Sequence, residues 1–147
     1  MNLQTALLSG FLLLISVITV GCEAESQRDS IRKSDLVGSR WVLSKLVYNN
    51  EVISIERNPE ISLEFRSGQI GGLSGCNNYQ ASWKLGRDGQ FALGGPISQT
   101  RQGCLDAVML AERNFIAVLE QAHTLILAND LLIIDSKLGQ LTFVKGK

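Results

Sequence analysis

Apolar and polar residues alternate over several short stretches of the chain, and this alternation predicts β-strands. Between Ile61 and Arg66 every second residue is apolar, as expected for a strand with one buried face. Arg40 to Tyr48 is rich in β-branched and aromatic residues, which favour strands. Further strands, some of them weakened by glycine, are predicted at residues 51–55, 69–75, 79–85, 91–97, 123–128, 131–135 and 141–144.

Asparagine-containing dipeptides separate two pairs of these strands. Asparagine tolerates a positive φ angle, so Asn49-Asn50 and Asn129-Asp130 suit tight hairpin turns. Strands joined by such turns lie antiparallel, and the pattern therefore favours an antiparallel sheet.

The apolar period changes between Leu105 and Ala122, where it fits an α-helix. Glu112, Arg113 and Glu120 are expected away from the centre of the apolar face. That face consists of Leu105, Val108, Ala111, Phe115, Val118, Leu119 and Ala122. One helix covering the open face of a curved sheet is the simplest packing. We therefore predict an α+β fold: a curved, partly barrel-like antiparallel sheet of about eight short strands packed with one amphipathic helix, after an N-terminal export segment.

The first 21 residues form an apolar segment of the kind that exports proteins. They contain no charged side chain, and Leu3 to Val20 is nearly continuous apolar sequence. Gly21-Cys22 then precedes polar sequence, which resembles the lipobox of bacterial lipoproteins, where the cysteine receives a diacylglyceryl group. The resemblance implies a signal peptide at 1–21, a lipidated N-terminus and polar tether at 22–37, and a folded domain at 38–147.

Two other interpretations of this segment remain open: an uncleaved membrane anchor, and a secretory peptide cleaved before Cys22. All three interpretations export the globular part of the chain. Glu23 follows Cys22 where an aspartate would retain some lipoproteins at the inner membrane. The expected location is therefore the outer membrane, facing the periplasm.

The charge balance excludes one class of partner. The 14 Lys and Arg residues balance the 14 Asp and Glu residues, so the chain lacks the basic surplus of a nucleic-acid-binding protein. The expected partners are the membrane, reached through the N-terminal lipid, and a protein of the cell envelope. The predicted domain at residues 38–147 is long enough for one hydrophobic core, and we expect a monomer.

Cys76 and Cys104 form an even pair if Cys22 is acylated. In an oxidising compartment they are expected to form a disulfide, closing a loop of about 28 residues and stabilising the fold by about 3 kcal/mol. Two free, separated thiols are the alternative. The chain has one histidine and no CxxC spacing, so no metal site and no cofactor is expected.

The stretch SGCNNYQASW at residues 74–83, with the sequence after it, resembles the META domain, the HslJ-like family of bacterial envelope proteins. The likeness covers roughly residues 38–145. Its matching positions are Gly75, Cys76, Asn77, Tyr79, Thr100, Cys104, Glu112 and Phe115. Ala81, Trp83 and Gln102 depart from the usual family pattern.

The resemblance implies a lipid-anchored envelope protein that is not an enzyme. Members of the family are often lipoproteins, and some are linked with heat-shock or antibiotic-tolerance responses. No catalytic activity is generally established for the domain. The expected function is therefore support of stress or antibiotic tolerance through an envelope partner.

The residues themselves also provide little catalytic chemistry. His123 is the single histidine and is expected at the end of the helix, in a capping or surface role. Gly72 to Gly75 lacks the last glycine of a nucleophile elbow, because Cys76 occupies that position. Thr100 is expected to cap a turn, and Glu112 to bind a backbone donor or an arginine. No catalytic residue is predicted.

The residues that follow Cys76 are interpreted as structural. Asn77 and Asn78 either contact a polar ligand or satisfy backbone groups in a turn, and the glycine-rich context favours the turn. Tyr79 and Trp83 share one strand face, which predicts core packing rather than an aromatic binding strip.

Two alternative functions accompany the expected one. A small disulfide-bonded β domain also suits a lipoprotein inhibitor that binds a lysozyme-like or other secreted enzyme, by analogy of fold and compartment. A carrier of a small apolar ligand would instead require a cavity inside the curved sheet, which a packed core would exclude.

Overall fold

The structure is a computed structural model, and it describes residues 31–147. The export segment at 1–21, the lipidation site Cys22 and the start of the tether lie outside the described residues, so their roles stay predictions. Within the described part of the chain, no helix is both long and apolar enough to cross a membrane.

Between residues 31 and 147 the chain forms ten strands and two α-helices. The short helix α1 spans Lys33–Leu36, and the main helix α2 spans Asp106–Glu120. The strands are β1 (Arg40–Tyr48), β2 (Glu51–Ile53), β3 (Ser62–Arg66), β4 (Gln69–Leu73), β5 (Asn78–Leu85), β6 (Phe91–Leu93), β7 (Ser98–Gln99), β8 (Ala122–Ala128), β9 (Leu131–Ser136) and β10 (Gly139–Lys145).

The strands form one antiparallel sheet in the order β6-β5-β4-β3-β1-β10-β9-β8, with β2 added to β1 and β7 added to β5. The two ends of this path approach each other, because Gln90 beside β6 forms a bridge with Thr124 in β8. Gly89 permits the close approach, since a side chain there would meet the carbonyl oxygen of Leu125. The sheet is therefore a nearly closed barrel of eight strands, and the predicted fold class is confirmed.

Strand β1 shows how a bulge keeps large apolar side chains inside the barrel. Trp41 and Leu43 are buried two residues apart, but the next buried residue, Leu46, is three residues further on. The register against β10 shifts between Leu43 and Lys45, so Ser44 is the extra residue of a bulge. The bulge restores the inward direction of the apolar side chains.

Aromatic side chains fill the barrel and hold α2 against it. Phe115 in α2 is fully buried and meets Tyr79 and Phe143 edge to face, with ring centroids 5.4 and 6.4 Å apart. Phe65 and Trp83 form a similar pair at 5.0 Å. Such pairs contribute about 0.5–1.5 kcal/mol each beyond their burial. Tyr79 and Trp83 thus belong to the core, where their shared strand face predicts them.

The two predicted asparagine turns are present. Asn49 and Asn50 join β1 to β2 and have φ angles of 48° and 66°. Asn129 has a φ angle of 54° and lies in the turn between β8 and β9. Asparagine is one of the few residues that accept this conformation readily.

The folded part begins before residue 38, the predicted start of the domain. Leu36 in α1 is fully buried, and the ammonium group of Lys33 lies 5.3 Å from the ring centre of Trp83. One apolar residue in a four-residue helix produces no periodic signal, so the sequence pattern alone assigns this segment to the polar tether.

The helix α2 is shorter than its apolar pattern indicates. Leu105 precedes the helix and is 80% exposed, while Ala122 already begins β8. His123 therefore lies in a strand and not at the helix end, although it is exposed as expected. The pattern overextends the helix because the flanking residues on both sides are apolar and happen to continue the helical period.

Candidate functional site

The residues that carry the sequence motif meet where three segments come together: the connection from β4 to β5, the loop after β7, and the first half of α2. Their polar groups form one hydrogen-bonded group, which we call the Glu112 cluster. It consists of Ser74, Cys76, Asn77, Thr100, Gln102 and Glu112.

The carboxylate of Glu112 is the centre of this cluster, and its residue is only 5% exposed. Oε2 accepts hydrogen bonds from Ser74 Oγ at 2.6 Å, from Asn77 N at 2.8 Å and from Cys76 N at 3.1 Å. Oε1 accepts one from Asn77 Nδ2 at 2.7 Å. Hydrogen bonds to an ionised acceptor are stronger than neutral ones. Glu112 therefore ties α2 to the β4–β5 connection.

These donors keep Glu112 ionised. Burial acts to raise the pKa of the carboxyl group, but the hydrogen bonds from Ser74, Asn77 and Cys76 together outweigh it, and the pKa lies below its ordinary value. A carboxylate that is already ionised has no proton to donate. Because both oxygens accept from protein donors, it is also poorly placed to act as a general base.

Asn77 connects Glu112 to the loop after β7. Its Oδ1 accepts from Thr100 Oγ1 at 2.9 Å and from Gln102 N at 2.7 Å. Its Nδ2 also lies 3.3 Å from the Gln102 carbonyl oxygen, and Thr100 Oγ1 accepts from Asn78 N at 3.1 Å. Only the main chain of Gln102 bonds to Asn77, so the unusual side chain at this position leaves these contacts intact.

Ser74 is fully buried at the base of the cluster. Its N–H donates to the carbonyl oxygen of Asn77 at 2.8 Å. Its hydroxyl lies 2.7 Å from the same oxygen and 2.6 Å from Glu112 Oε2. A hydroxyl has one proton, so it donates to one of these acceptors at a time. Throughout residues 31–147, no buried side-chain nitrogen or oxygen lacks a hydrogen-bond partner.

A disulfide joins two of the same segments covalently. Cys76 and Cys104 are bonded to each other, with their Cα atoms 6.0 Å apart. The predicted pairing, rather than two separated thiols, is therefore present in the structure. It links the β4–β5 connection to the residues just before α2, and it leaves neither sulfur available as a nucleophile.

The remaining motif residues shape the backbone and the core beside the cluster. Gly75 has a φ angle of +111°, which other residues rarely adopt, and this backbone conformation favours glycine. Tyr79 donates its hydroxyl to the carbonyl oxygen of Ser62 at 2.8 Å, and burial raises its pKa well above the ordinary value. Phe115 packs against the ring of Tyr79. These three residues therefore have structural roles.

The sequence places Glu112 off the centre of the apolar face and assigns no role to Ser74. Glu112 is expected away from the centre of the helical apolar face, but it is buried with its own set of donors. Of its two expected kinds of partner, a backbone donor or an arginine, the structure shows backbone donors together with Ser74 and Asn77. Ser74 receives no assignment from the sequence, and its only signal is its position two residues before Cys76.

An open surface groove of about 450 Å³ adjoins the cluster, and Arg101 and Met109 are among the residues that line it. In the described residues, no group of three or more His, Cys, Asp or Glu side chains could hold a metal ion. His123 lies in β8, where its Nδ1 is 2.9 Å from Thr124 Oγ1. The cluster thus brings together groups that hold segments in place, without a nucleophile beside a free base.

Comparisons with known proteins agree with this fold. A family model described as META domain matches residues 34–147. An NMR structure of a protein from Burkholderia xenovorans is similar with a TM-score of 0.65 and 20% identity, over 78% of this chain and 86% of that one. Another NMR structure is similar with a TM-score of 0.61 and 22% identity, over 78% of this chain and 94% of that one. A comparison with curated proteins found no match.

Proposed function

Because this chain belongs to the META domain family, we propose that it is a non-enzymatic protein of the cell envelope, anchored by a lipid on Cys22. In this proposal it supports stress or antibiotic tolerance by binding another envelope protein. The proposal that the protein is not an enzyme rests on one observation: the polar groups of the Glu112 cluster form hydrogen bonds with one another.

The polar groups of the Glu112 cluster are already hydrogen-bonded to other protein groups, and this supports a structural role. Nucleophilic catalysis requires a nucleophile with a base within hydrogen-bond reach. Here the carboxylate of Glu112 faces four protein donors, Ser74 is fully buried, and the sulfurs of Cys76 and Cys104 are bonded to each other. A substrate would have to break these bonds before any group could react.

The disulfide also supports export of the domain. Disulfides persist in oxidising compartments and are rare in the cytosol. The apolar segment at residues 1–21 and the cysteine that follows it provide, by sequence, an export signal and a lipidation site. Together these features support the cell envelope as the location, with the outer membrane favoured by Glu23.

Replacement of Cys22 by alanine tests the lipid anchor. We expect the wild-type protein in the membrane fraction, with an acyl group on its N-terminal peptide in mass spectrometry. We expect the Cys22→Ala variant in the soluble periplasmic fraction. If the variant remains in the membrane fraction, residues 1–21 act as an uncleaved anchor and the lipid proposal fails.

Crosslinking of the full-length protein in intact cells tests the envelope partner. We expect a discrete adduct with one envelope protein, in a strain whose antibiotic tolerance depends on this chain. Capture of a secreted hydrolase, together with inhibition of its activity, would instead support the inhibitor function. The non-enzymatic part is tested by complementation, in which His123→Ala should restore tolerance as well as the wild type does.

A further inference from the structure

We propose that the outer face of β8, β9 and β10 rests on the lipid bilayer that holds the anchored chain. The inference deepens the proposed function, on which it rests, because it gives the anchored domain one orientation. We call this surface the apolar face. It consists of Val42, Ile126, Leu131, Ile133 and Val144.

The strand registers bring these five side chains together on the outside of the barrel. Ile126 pairs with Ile133, Leu131 pairs with Val144, and Val144 pairs in turn with Val42 on β1. The residues that alternate with them along β9 and β10 are fully buried in the core. Since successive side chains of a strand point to opposite faces, these five point outward.

Three side chains of the apolar face are exposed, Val42 and Ile133 are half-buried, and Thr142 lies on the same side between Ile133 and Lys45. Ile126, Leu131 and Val144 are each 41% exposed. Single exposed apolar residues are ordinary on a protein surface, whereas a contiguous group on neighbouring strands marks an interaction site. Contact regions between proteins are enriched in aromatic residues, and none of these five is aromatic. These aliphatic side chains can enter hydrocarbon without burying a polar group.

The outer side formed by β3 and β4 has the opposite character. Arg66 pairs with Glu64 at 2.8 Å, while Arg40 at the start of β1 lies 3.7 Å from Glu64 and also pairs with Glu60. Charged groups lose favourable hydration when they enter hydrocarbon. Of these two sides, the β8–β10 side is the one suited to contact a bilayer.

The start of β1 lies close to the apolar face, and the described chain begins at Ile31, beside Leu85 and Asp88. Gly146 donates its N–H to the Arg40 carbonyl oxygen at 2.8 Å, and Lys145 donates to the Asp130 carbonyl oxygen at 3.1 Å. The start of β1, the end of β10 and the β8–β9 turn are therefore together at one end of the barrel. Val144 precedes Lys145 directly, so the apolar face reaches this end.

The anchor is short enough to keep this end near the membrane. The stretch from Cys22 to Ile31 spans at most about 30 Å when fully extended. The end of the barrel at which β1 begins therefore stays within reach of the lipid surface. Of the surfaces near that end, the apolar face is the one that gains from leaving water.

Lysines flank the apolar face although the whole chain is neutral. Lys45 pairs with Thr142 on β10, and Lys145 and Lys147 are exposed at the end of the chain. The acidic residues in the same region are Asp130 and Asp135, together with Glu60 and Glu64, which pair with Arg40. Asp135 accepts a hydrogen bond from Gln140. Lysines close to an anionic lipid surface are attracted to it, so they reinforce the apolar contact.

Fluorescence quenching at two matched positions tests this orientation. A cysteine replaces Ile126 on the apolar face or, as the control, Gln69, an exposed residue of β4. Each full-length protein is purified in detergent, labelled with a thiol-reactive fluorophore and reconstituted into vesicles of phosphatidylethanolamine and phosphatidylglycerol. Their acyl chains carry bromine, which quenches only fluorophores that contact the hydrocarbon.

We expect the label at residue 126 to be quenched about threefold more than the label at residue 69, because only the former contacts the hydrocarbon. Equal quenching at the two positions, or stronger quenching at residue 69, overturns the proposal. Energy transfer between copies labelled at residue 126 that grows with protein density, without quenching by bromine, assigns the face to a second copy and also overturns it.

Labelling of the protein without an introduced cysteine separates this test from the test of the lipid anchor. A fluorophore on Cys22 shows a free thiol, and the lipid proposal then fails. In that case the comparison of residues 126 and 69 is repeated in the Cys22→Ala protein, and its loss from the vesicles, which would show that residues 1–21 provide no anchor, overturns the orientation as well. The two proposals can therefore fail independently.

Discussion

The Glu112 cluster and the aromatic core lie against the same helix but are stabilised by different interactions. Glu112 and Phe115 are three positions apart on α2, so both face the barrel. Around Glu112, stability comes from hydrogen bonds with fixed donors and acceptors, supplemented by one disulfide. Around Phe115 it comes from burial and close packing, which have no direction.

The two regions should therefore tolerate different kinds of substitution. A hydrogen bond depends on the identity of single atoms, so the cluster is sensitive to changes that preserve volume. A packed core depends mainly on volume, so it accepts another apolar residue of similar size more readily than a cavity. Substitutions in each region should therefore show opposite sensitivities.

Phe115→Ala should have the largest effect. Loss of the ring leaves a cavity between Tyr79 and Phe143 and should lower the free energy of unfolding by about 3–5 kcal/mol. Urea unfolding measures this through the fluorescence of the buried Trp41 and Trp83. Phe115→Leu, which keeps more of the volume, should cost less. Equal losses for the two variants would contradict a volume-dependent core.

Removal of the disulfide should come next. Cys76→Ser and Cys104→Ser should each lower the free energy of unfolding by about 3 kcal/mol, because the unfolded chain regains the entropy of the open loop. The double variant should lose no more than either single variant, since one bond is removed in every case. Additive losses in urea unfolding would show that the two residues act separately.

Glu112→Gln tests the hydrogen bonds of the Glu112 cluster with almost no change in side-chain volume. The new amide group cannot accept hydrogen bonds at both positions, so one buried donor loses its acceptor. We expect a loss of about 2 kcal/mol in urea unfolding. The exposed Glu120 at the end of α2 provides the control, and Glu120→Gln should change stability by less than about 0.5 kcal/mol. A neutral Glu112→Gln variant would contradict the role assigned to the carboxylate.

The pH dependence of stability provides a second test of the Glu112 carboxylate. The pKa of Glu112 in the folded protein lies below its ordinary value of 4.5, which is the value expected when the chain is unfolded. Its contribution to stability is therefore complete above about pH 4.5 and is lost as the pH falls through the folded pKa. Unfolding measured between about pH 7 and pH 3 should show a steeper loss for the wild type than for Glu112→Gln. Parallel curves of stability against pH for the two proteins would show that protonation of Glu112 does not cause the loss of stability at low pH.

Leu105→Ser should have the smallest effect. Leu105 is 80% exposed, so its replacement should change the free energy of unfolding by less than about 0.5 kcal/mol. Val108 belongs to the same predicted apolar helix face but is only 7% exposed, so Val108→Ser should lower the free energy of unfolding clearly more. If the two substitutions cost the same in urea unfolding, the observed start of α2 at Asp106 would be in doubt.

Much of the fold could be predicted because its signals are local. The alternation between Ile61 and Arg66 and the period of α2 each record which side of an element is apolar, and neighbouring residues are enough to show it. The buried Leu36 in α1 could not be predicted in this way. Its burial depends on the barrel beneath it and not on its own neighbours.

The candidate site was predictable only in part. The motif placed Asn77, Thr100 and Glu112 in one family pattern, and the cysteine count favoured the pairing of Cys76 with Cys104. The hydrogen bonds among these residues could not be read from spacing, because Asn77 and Glu112 are 35 residues apart in the chain. A polar residue on a largely apolar helical face has the same pattern whether it reaches water or a set of buried donors.

Local sequence patterns thus specified the types of the main elements, the asparagine turns and the cysteines available for pairing. These depend on backbone preferences and on residues close together in the chain. The folded structure was needed to show that the barrel nearly closes at Gln90 and Thr124, that Glu112 is buried and that Leu105 is exposed. Each of these outcomes depends on contacts, or their absence, between segments far apart in the chain, and a local pattern contains no record of them.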